Sequence, residues 1–178
     1  MGSWWGKPAD DTPDDVTGLT ANQVQLIRDT WAIIYKNKRE NCFTIFRILF
    51  TDHPDTRSLF KNMADVDLEA PGEFERNVSA RAHMVRFMHS FATFMDTLDE
   101  PADLRQLLYD LGKTHAKHGV QPELFDALGP VLMKALPRVL DGKFTPEVKT
   151  AWSATYTFMC AHLREGVAEG ERLLADTE

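Results

Sequence analysis

Six histidines are the residues of this chain whose type and spacing could support chemistry: His53, His83, His89, His115, His118 and His162. Two of them lie on apolar helix faces. His83 is followed at helical spacing by Phe87, Phe91 and Phe94, so its imidazole points along a strongly apolar surface. His115 closes a stripe of leucines and also faces inward. Burying an imidazole against hydrocarbon costs about 1–3 kcal/mol unless its nitrogens find partners.

Two such histidines on consecutive helices indicate a common buried partner. A backbone carbonyl could satisfy one of them, whereas a flat, mostly apolar cofactor with a metal at its centre would satisfy both. A structural zinc site fits poorly, because neither face carries the further cysteine or carboxylate ligands that zinc needs. Haem needs only axial ligands and otherwise an apolar wall, which these faces supply. The pattern therefore favours haem, and His53, His89 and His162 are interpreted as structural or exposed.

The rest of the sequence excludes several classes of function. It contains no GxGxxG, GxSxG, HExxH or CxxC motif and no phosphate-binding loop, so the common catalytic signatures are missing. With a net charge of −7 and no basic patch, the chain is not expected to bind nucleic acid. No apolar run approaches the roughly 20 residues that span a bilayer, and no signal peptide is recognisable. A cytoplasmic protein is predicted, in which Cys42 and Cys160 stay reduced.

Helical periodicity along the chain predicts an all-α fold. The 178 residues suit one domain, with about six long helices, two short ones and no strand. Thr20 with Gln23 predicts a capped helix start, and Thr145 before Pro146 predicts another. Pro54 is expected to end an earlier helix, because a proline would break it.

The ends of the chain differ from its body. The composition predicts three parts: a flexible extension over residues 1–18, the folded domain over residues 19–166 and an acidic tail over residues 167–178. Within the domain, the acidic segment 61–76 is interpreted as a mobile surface connection. A long helix after it carries a series of apolar residues, with Val78 and Val85 among them.

Four stretches of the sequence carry a family resemblance. They are IFRILFTDHPDTRSLF (45–60), AHMVRFM (82–88), LGKTHAKHGV (111–120) and FTPEVKTAWSATY (144–156). Compared with the globin superfamily, the first stretch resembles the second helix together with a nearly universal phenylalanine, and the second stretch resembles the distal-histidine segment. The third stretch resembles the proximal segment, and the fourth resembles the last helix. Within that superfamily the chain is most similar to the neuroglobin, cytoglobin and globin X groups.

The resemblance implies a globin fold of six to eight helices around one haem b that is not covalently attached. It implies His115 as the iron ligand and His83 as the distal residue. Arg86 and His118 are the candidates for pairing with haem propionates, each with a solvated position as the alternative. The remaining candidate haem contacts could each be ordinary core instead: Phe46, Phe60, Phe87, Leu111, Val120, Phe125, Leu128 and Tyr156. Phe87 stands where a smaller residue is usual, so a narrow ligand pocket is expected.

The resemblance also implies a function, the reversible binding of O2, CO or NO. His83 can either bind the iron, which gives a bis-histidyl six-coordinate haem, or hydrogen-bond O2 above a five-coordinate one. The resemblance favours coordination by His83 and a redox or sensing role, with a reductase as the candidate partner. Storage or transport of O2 and a redox activity such as NO dioxygenation or nitrite reduction stay open as alternatives. Gly2 resembles an N-myristoylation site, which would add membrane association, although Gly6 replaces the preferred Ser or Thr.

Overall fold

Helices are the only regular secondary structure in the part of the chain that the structure describes. The structure is a computed structural model that describes residues 11–176. Seven α-helices and one 3₁₀ helix follow one another, and no strand occurs among these residues: α1 (Ala21–Lys36), α2 (Lys38–Asp52), the 3₁₀ helix (Pro54–Leu59), α3 (Glu73–Arg76), α4 (Val78–Asp96), α5 (Pro101–Ala116), α6 (Leu124–Val139) and α7 (Pro146–Ala175). The predicted all-α class is confirmed. Over the same residues, none of the helices combines the length and apolar character that crossing a membrane requires.

Local side-chain chemistry sets the helix ends, as the sequence predicts. The Thr20 side chain accepts a hydrogen bond from the backbone N–H of Gln23, and the Gln23 side chain accepts from the backbone N–H of Thr20 at 2.9 Å. Thr145 caps α7, and Pro146 takes the first turn, where its missing N–H costs nothing. α2 ends just before Pro54. These starts and stops fix the lengths of the helices that position the site.

A buried polar contact joins α1 to α7. Trp152 is 2% exposed, and its indole N–H donates to the Thr30 hydroxyl oxygen at 2.9 Å. The Thr30 hydroxyl donates in turn to the Leu26 carbonyl at 2.6 Å. Because an indole N–H can only donate, its burial requires an acceptor at this point of the core. The contact therefore specifies how α1 lies on α7.

Replacing Thr30 by valine is expected to lower the free energy of unfolding by about 1–3 kcal/mol, because the Trp152 N–H is left buried without an acceptor. Thr30→Ser is the matched control. It keeps the hydroxyl and removes one methyl group, so a loss of about 1 kcal/mol or less is expected. Urea denaturation of both variants measures the difference. Equal losses in the two variants would show that the hydrogen bond contributes nothing to stability.

α5 and α7 cross closely at glycines. A Cβ on Gly112 would lie 2.2 Å from the Leu163 carbonyl oxygen, and one on Gly166 would lie 2.1 Å from the Tyr109 carbonyl oxygen. Atoms that are not bonded to each other do not approach so closely, and so these two positions require glycine. Since α5 also carries His115, the crossing sets where His115 lies in the fold.

The segment 61–76 has an exposed surface, as the sequence predicts, but four of its apolar residues anchor it in the core. Met63 and Phe74 are fully buried, and Val66 and Leu68 are each 9% exposed. Their spacing follows neither a helical nor an alternating pattern, so periodicity does not mark them as core residues. α3 lies within this segment and carries Phe74.

α4 exposes two of the apolar residues that its sequence carries. Val78 and Val85 are 70% and 57% exposed. They are two helical turns apart and therefore share an outer face, whereas Met84, Met88 and Phe91 are buried. The reason is that α4 carries apolar residues on more than one side, so apolar character alone does not select the face that packs.

The two predicted terminal segments are described in part. Residues 11–18 form a turn around the Asp14 carboxylate, which accepts hydrogen bonds from two backbone N–H groups. α7 continues past residue 166 without a break, and Val167 is fully buried. Residues 1–10 and 177–178 lie outside the described residues, and the predicted lipid-attachment site lies with them.

Candidate functional site

His83 and His115 lie close enough for the charge of one to act on the other. They come from consecutive long helices, with His83 in the first half of α4 and His115 in the last turn of α5. A proton on His115 would repel a proton on His83, and this repulsion contributes to a low pKa of His83. The fold thus brings the two histidines that the sequence singles out into one region of the molecule.

Two phenylalanines meet the His83 imidazole edge-on. The centroid of the His83 ring lies 4.7 Å from that of Phe60 and 5.3 Å from that of Phe46, with interplanar angles of 89° and 78°. Phe87, one turn further along α4, packs against Phe46 with centroids 5.0 Å apart. We call His83, Phe46, Phe60 and Phe87 the distal cluster. Perpendicular ring contacts of this kind fix the orientation of the imidazole as well as its position.

The His83 imidazole is neutral and has a free lone pair. Burial, with smaller contributions from the positive charges of Arg86 and His115, lowers the pKa of His83 to about 4. At pH 7 one ring nitrogen therefore keeps a lone pair. Within residues 11–176, neither ring nitrogen of His83 has a hydrogen-bond partner. Such an imidazole is available to bind a metal ion or to hydrogen-bond a ligand.

A hydrogen bond to the backbone fixes the tautomer of His115. Its Nδ1 lies 2.8 Å from the Leu111 carbonyl oxygen. Because a carbonyl oxygen can only accept, Nδ1 carries the proton and Nε2 keeps its lone pair. Burial lowers the pKa of His115, although this hydrogen bond raises it, and the charge of His118 lowers it further. Histidines that bind metals in proteins usually donate their other ring N–H in this way.

Aromatic and apolar residues surround His115 on the side of α6. The centroid of its ring lies 5.2 Å from that of Phe125 at an interplanar angle of 70°. The Tyr156 hydroxyl donates to the Phe125 carbonyl at 2.6 Å, which holds the start of α6 against α7. The Val120 N–H donates to the His115 carbonyl at 3.3 Å. Two further predicted contacts are partly buried against the core: Leu111 and Leu128.

The two predicted propionate partners, Arg86 and His118, are exposed. Their charges nevertheless reach the site, because Arg86 lowers the pKa of His83 and His118 lowers that of His115. Neither side chain is paired with a carboxylate in the described part of the chain. Both are therefore free to meet an anionic group at the edge of the site, and their role stays a prediction.

Both cysteines are free thiols, and both have partners that lie far away in sequence. The Cys42 sulfur lies 3.7 Å from the Met84 carbonyl oxygen and 3.4 Å from the Met84 sulfur. The Cys160 sulfur lies 3.4 Å from an Asp126 carboxylate oxygen. Burial, followed by the interaction with Asp126, raises the pKa of Cys160 to about 11, and burial also raises the pKa of Cys42. Both thiols are therefore protonated at pH 7 and poor nucleophiles.

Asn77 and Arg57 are candidate functional residues that the sequence pattern misses. The Arg57 guanidinium donates to the Met63 carbonyl at 3.0 Å and also to the Val66 carbonyl, and it thereby organises the segment that carries Phe60. The Asn77 side chain caps α4. An asparagine just before an apolar helical run is a recognisable cap signal. No local signal marks Arg57, because its partners are backbone atoms of an irregular segment.

The fold is similar to that of two solved haem proteins. A hexacoordinated haem protein from an anhydrobiotic tardigrade matches with a TM-score of 0.79 at 20% identity, over 87% of this chain and 99% of that chain. Ferric myoglobin from Aplysia limacina matches with a TM-score of 0.72 at 18% identity, over 83% of this chain and 98% of that chain. At these identities the similarity establishes the fold alone, and it confirms the globin fold that the sequence predicts.

Sequence similarity to known proteins also indicates the globin family. Cytoglobin-2 of Danio rerio is 31% identical over 152 residues, which are 85% of this chain and 84% of that protein. Globin-1 of Anadara inaequivalvis is 26% identical over 140 residues, which are 79% of this chain and 90% of that protein. A family model described as Globin matches residues 44–163, which include both His83 and His115. The chain belongs to the globin family.

Proposed function

We propose that this globin binds haem b at the site formed by the distal cluster and His115, and that it binds O2, CO or NO reversibly. His115 is the proposed iron ligand through Nε2, and His83 is the proposed sixth ligand. Arg86 and His118 are the proposed partners of the propionates. The proposed contacts of the haem face and edge are apolar or aromatic: Phe46, Phe60, Phe87, Leu111, Val120, Phe125, Leu128 and Tyr156.

The hydrogen bond of His115 is the observation that carries the proposal. Donation from Nδ1 to the Leu111 carbonyl at 2.8 Å leaves Nε2 as the nitrogen with a lone pair and makes it a better electron donor. The apolar surroundings suit a mostly apolar cofactor, and the exposed Arg86 and His118 suit its carboxylates. When bound, haem would supply an iron that binds diatomic gases, with His115 as its proposed protein ligand and His83 as the proposed second one.

The state of His83 supports coordination by both histidines. Its imidazole is neutral, and no residue from 11 to 176 hydrogen-bonds it. Coordination to iron would give this imidazole the partner that the described residues do not supply. An incoming ligand must then displace His83, and its apparent affinity falls by the fraction of time for which the position is open. This behaviour suits a redox or sensing role with a reductase as partner better than bulk storage of O2.

The absorption spectrum of the ferrous, deoxygenated protein tests the proposal. We expect a low-spin, six-coordinate spectrum for the wild type. The variant His83→Leu is expected to give a high-spin, five-coordinate spectrum that still shows bound haem, because His115 is unchanged. A wild-type spectrum that is already five-coordinate would contradict coordination by His83 and would leave it as a hydrogen-bond donor to the ligand. Purified protein without haem after reconstitution would contradict haem binding itself.

The rate of CO binding gives a second measurement on the same variants. CO association with His83→Leu is expected to be at least about tenfold faster than with the wild type, because no internal ligand has to leave first. His89→Leu is the matched control. His89 is also on α4 but is exposed, so its replacement is expected to leave both the spectrum and the rate unchanged.

A further inference from the structure

We propose that Asn77 is a positioning residue that couples the segment 57–66 to α4 and thereby holds His83 in place for coordination. The inference rests on the proposed function, since it concerns how His83 is kept at that site. Asn77 stands between the two elements that contribute most of the distal cluster. The segment carries Phe60, and α4 carries His83 and Phe87.

The segment 57–66 is tied together internally and should move as one unit. The Arg57 guanidinium donates to the carbonyls of Met63, at 3.0 Å, and of Val66. The Phe60 N–H donates to the Arg57 carbonyl, and the Met63 N–H donates to the Phe60 carbonyl, each at 3.1 Å. Met63 is fully buried and anchors the segment in the core. Any displacement of this segment therefore displaces Phe60 with it.

The two ends of the Asn77 amide bond to different elements. Nδ2 donates to the Asn62 carbonyl at 2.9 Å, and Oδ1 accepts from the Ala80 N–H at 2.9 Å. The second bond is an ordinary helix cap. The first bond is not needed for the cap and connects α4 to the segment. Asn62 has φ of 60°, in the left-handed region that asparagine adopts more readily than most residues, which presents its carbonyl at this turn.

Two contacts thus join the segment to α4 on the side of His83. One is the hydrogen bond between Asn77 and Asn62, and the other is the edge-on contact at 4.7 Å between Phe60 and His83. With both in place, the imidazole keeps its edge-on orientation against Phe60 and Phe46. Without the hydrogen bond, α4 and the segment can separate more often. His83 then spends a larger fraction of time away from the iron position.

The variant Asn77→Asp separates the two bonds. Aspartate keeps an acceptor for the Ala80 N–H, and its negative charge is favourable at a helix N-terminus. It cannot donate to the Asn62 carbonyl and repels that oxygen. We expect the ferrous variant to stay six-coordinate and its CO association to become about fivefold faster, which corresponds to the roughly 1 kcal/mol of one hydrogen bond. Its melting temperature is expected to be no lower than that of the wild type.

Two further variants make the result specific. Asn62→Gly keeps the acceptor carbonyl and the left-handed φ, so its CO association is expected to stay within about twofold of the wild type. Asn77→Ala removes both side-chain bonds, and it is expected to speed CO association as much as Asn77→Asp does while also lowering the melting temperature. If the two Asn77 variants share the faster CO association but differ in melting temperature, the effect on the rate comes from positioning and not from capping.

Three results would overturn the inference. The first is a six-coordinate wild type whose CO association is unchanged in Asn77→Asp. The second is an equal acceleration in Asn62→Gly, which would indicate general loosening of the segment. Both leave the proposed function standing. The third, a five-coordinate ferrous spectrum of the wild type, overturns coordination by His83 and this inference together.

Discussion

Replacing His115 by glycine is expected to make the protein lose haem at least about 100-fold faster. Loss of a residue that hydrogen-bonds a metal ligand already lowers metal affinity by about 10–100-fold. Loss of the ligand itself should therefore have an effect of at least about 100-fold. The apolar contacts of the site remain, and haem should therefore still bind weakly. Transfer of haem to an excess of a scavenging apoprotein measures the rate of release.

Two comparisons make the His115 result specific to the missing imidazole. Added free imidazole can fill the space in His115→Gly, and we expect it to restore slow release, which a general loss of folding would not allow. His89→Leu is expected to release haem at the wild-type rate, because His89 is exposed. Wild-type retention of haem by His115→Gly would show that another residue holds the iron.

Replacing Gly166 by alanine is expected to lower the free energy of unfolding by about 3 kcal/mol or more. The new Cβ would lie 2.1 Å from the Tyr109 carbonyl oxygen and 3.0 Å from the Gly112 Cα. Both are backbone atoms that no rotamer change can move, so α5 and α7 must separate. In an exposed helix the same substitution would increase stability by about 1 kcal/mol, because alanine has the higher helix propensity. A decrease in the free energy of unfolding therefore shows that α5 and α7 are in close contact at Gly166.

Chemical denaturation followed by circular dichroism, at equal haem saturation, measures this loss. Ala168→Gly is the control on the same helix, since Ala168 is exposed and the change should cost only the helix propensity of about 1 kcal/mol. Haem release is also expected to be faster in Gly166→Ala, because α5 carries His115. A Gly166→Ala variant as stable as the wild type would show that the two helices can separate without cost.

The helices and the two central histidines could be read from the sequence because their causes are local. A cap such as Thr20 or a proline such as Pro146 acts on the residues next to it, so a short window contains the whole signal. His83 and His115 stand out because a polar imidazole on an apolar helix face is costly without a partner. The anchoring of the acidic segment 61–76 in the core has no such local signal, since the burial of Met63 depends on what packs above it.

The sequence by itself determined the all-α class and the globin family, because helical period, caps and family motifs are properties of consecutive residues. Only the tertiary structure decided that Val78 and Val85 face outward and that Gly112 and Gly166 let α5 and α7 touch. It likewise decided that Asn77 bonds to Asn62. Each of these depends on which surface lies opposite a residue, and that surface comes from a distant part of the chain. Packing between distant segments therefore sets the details of the site, while local patterns set its components.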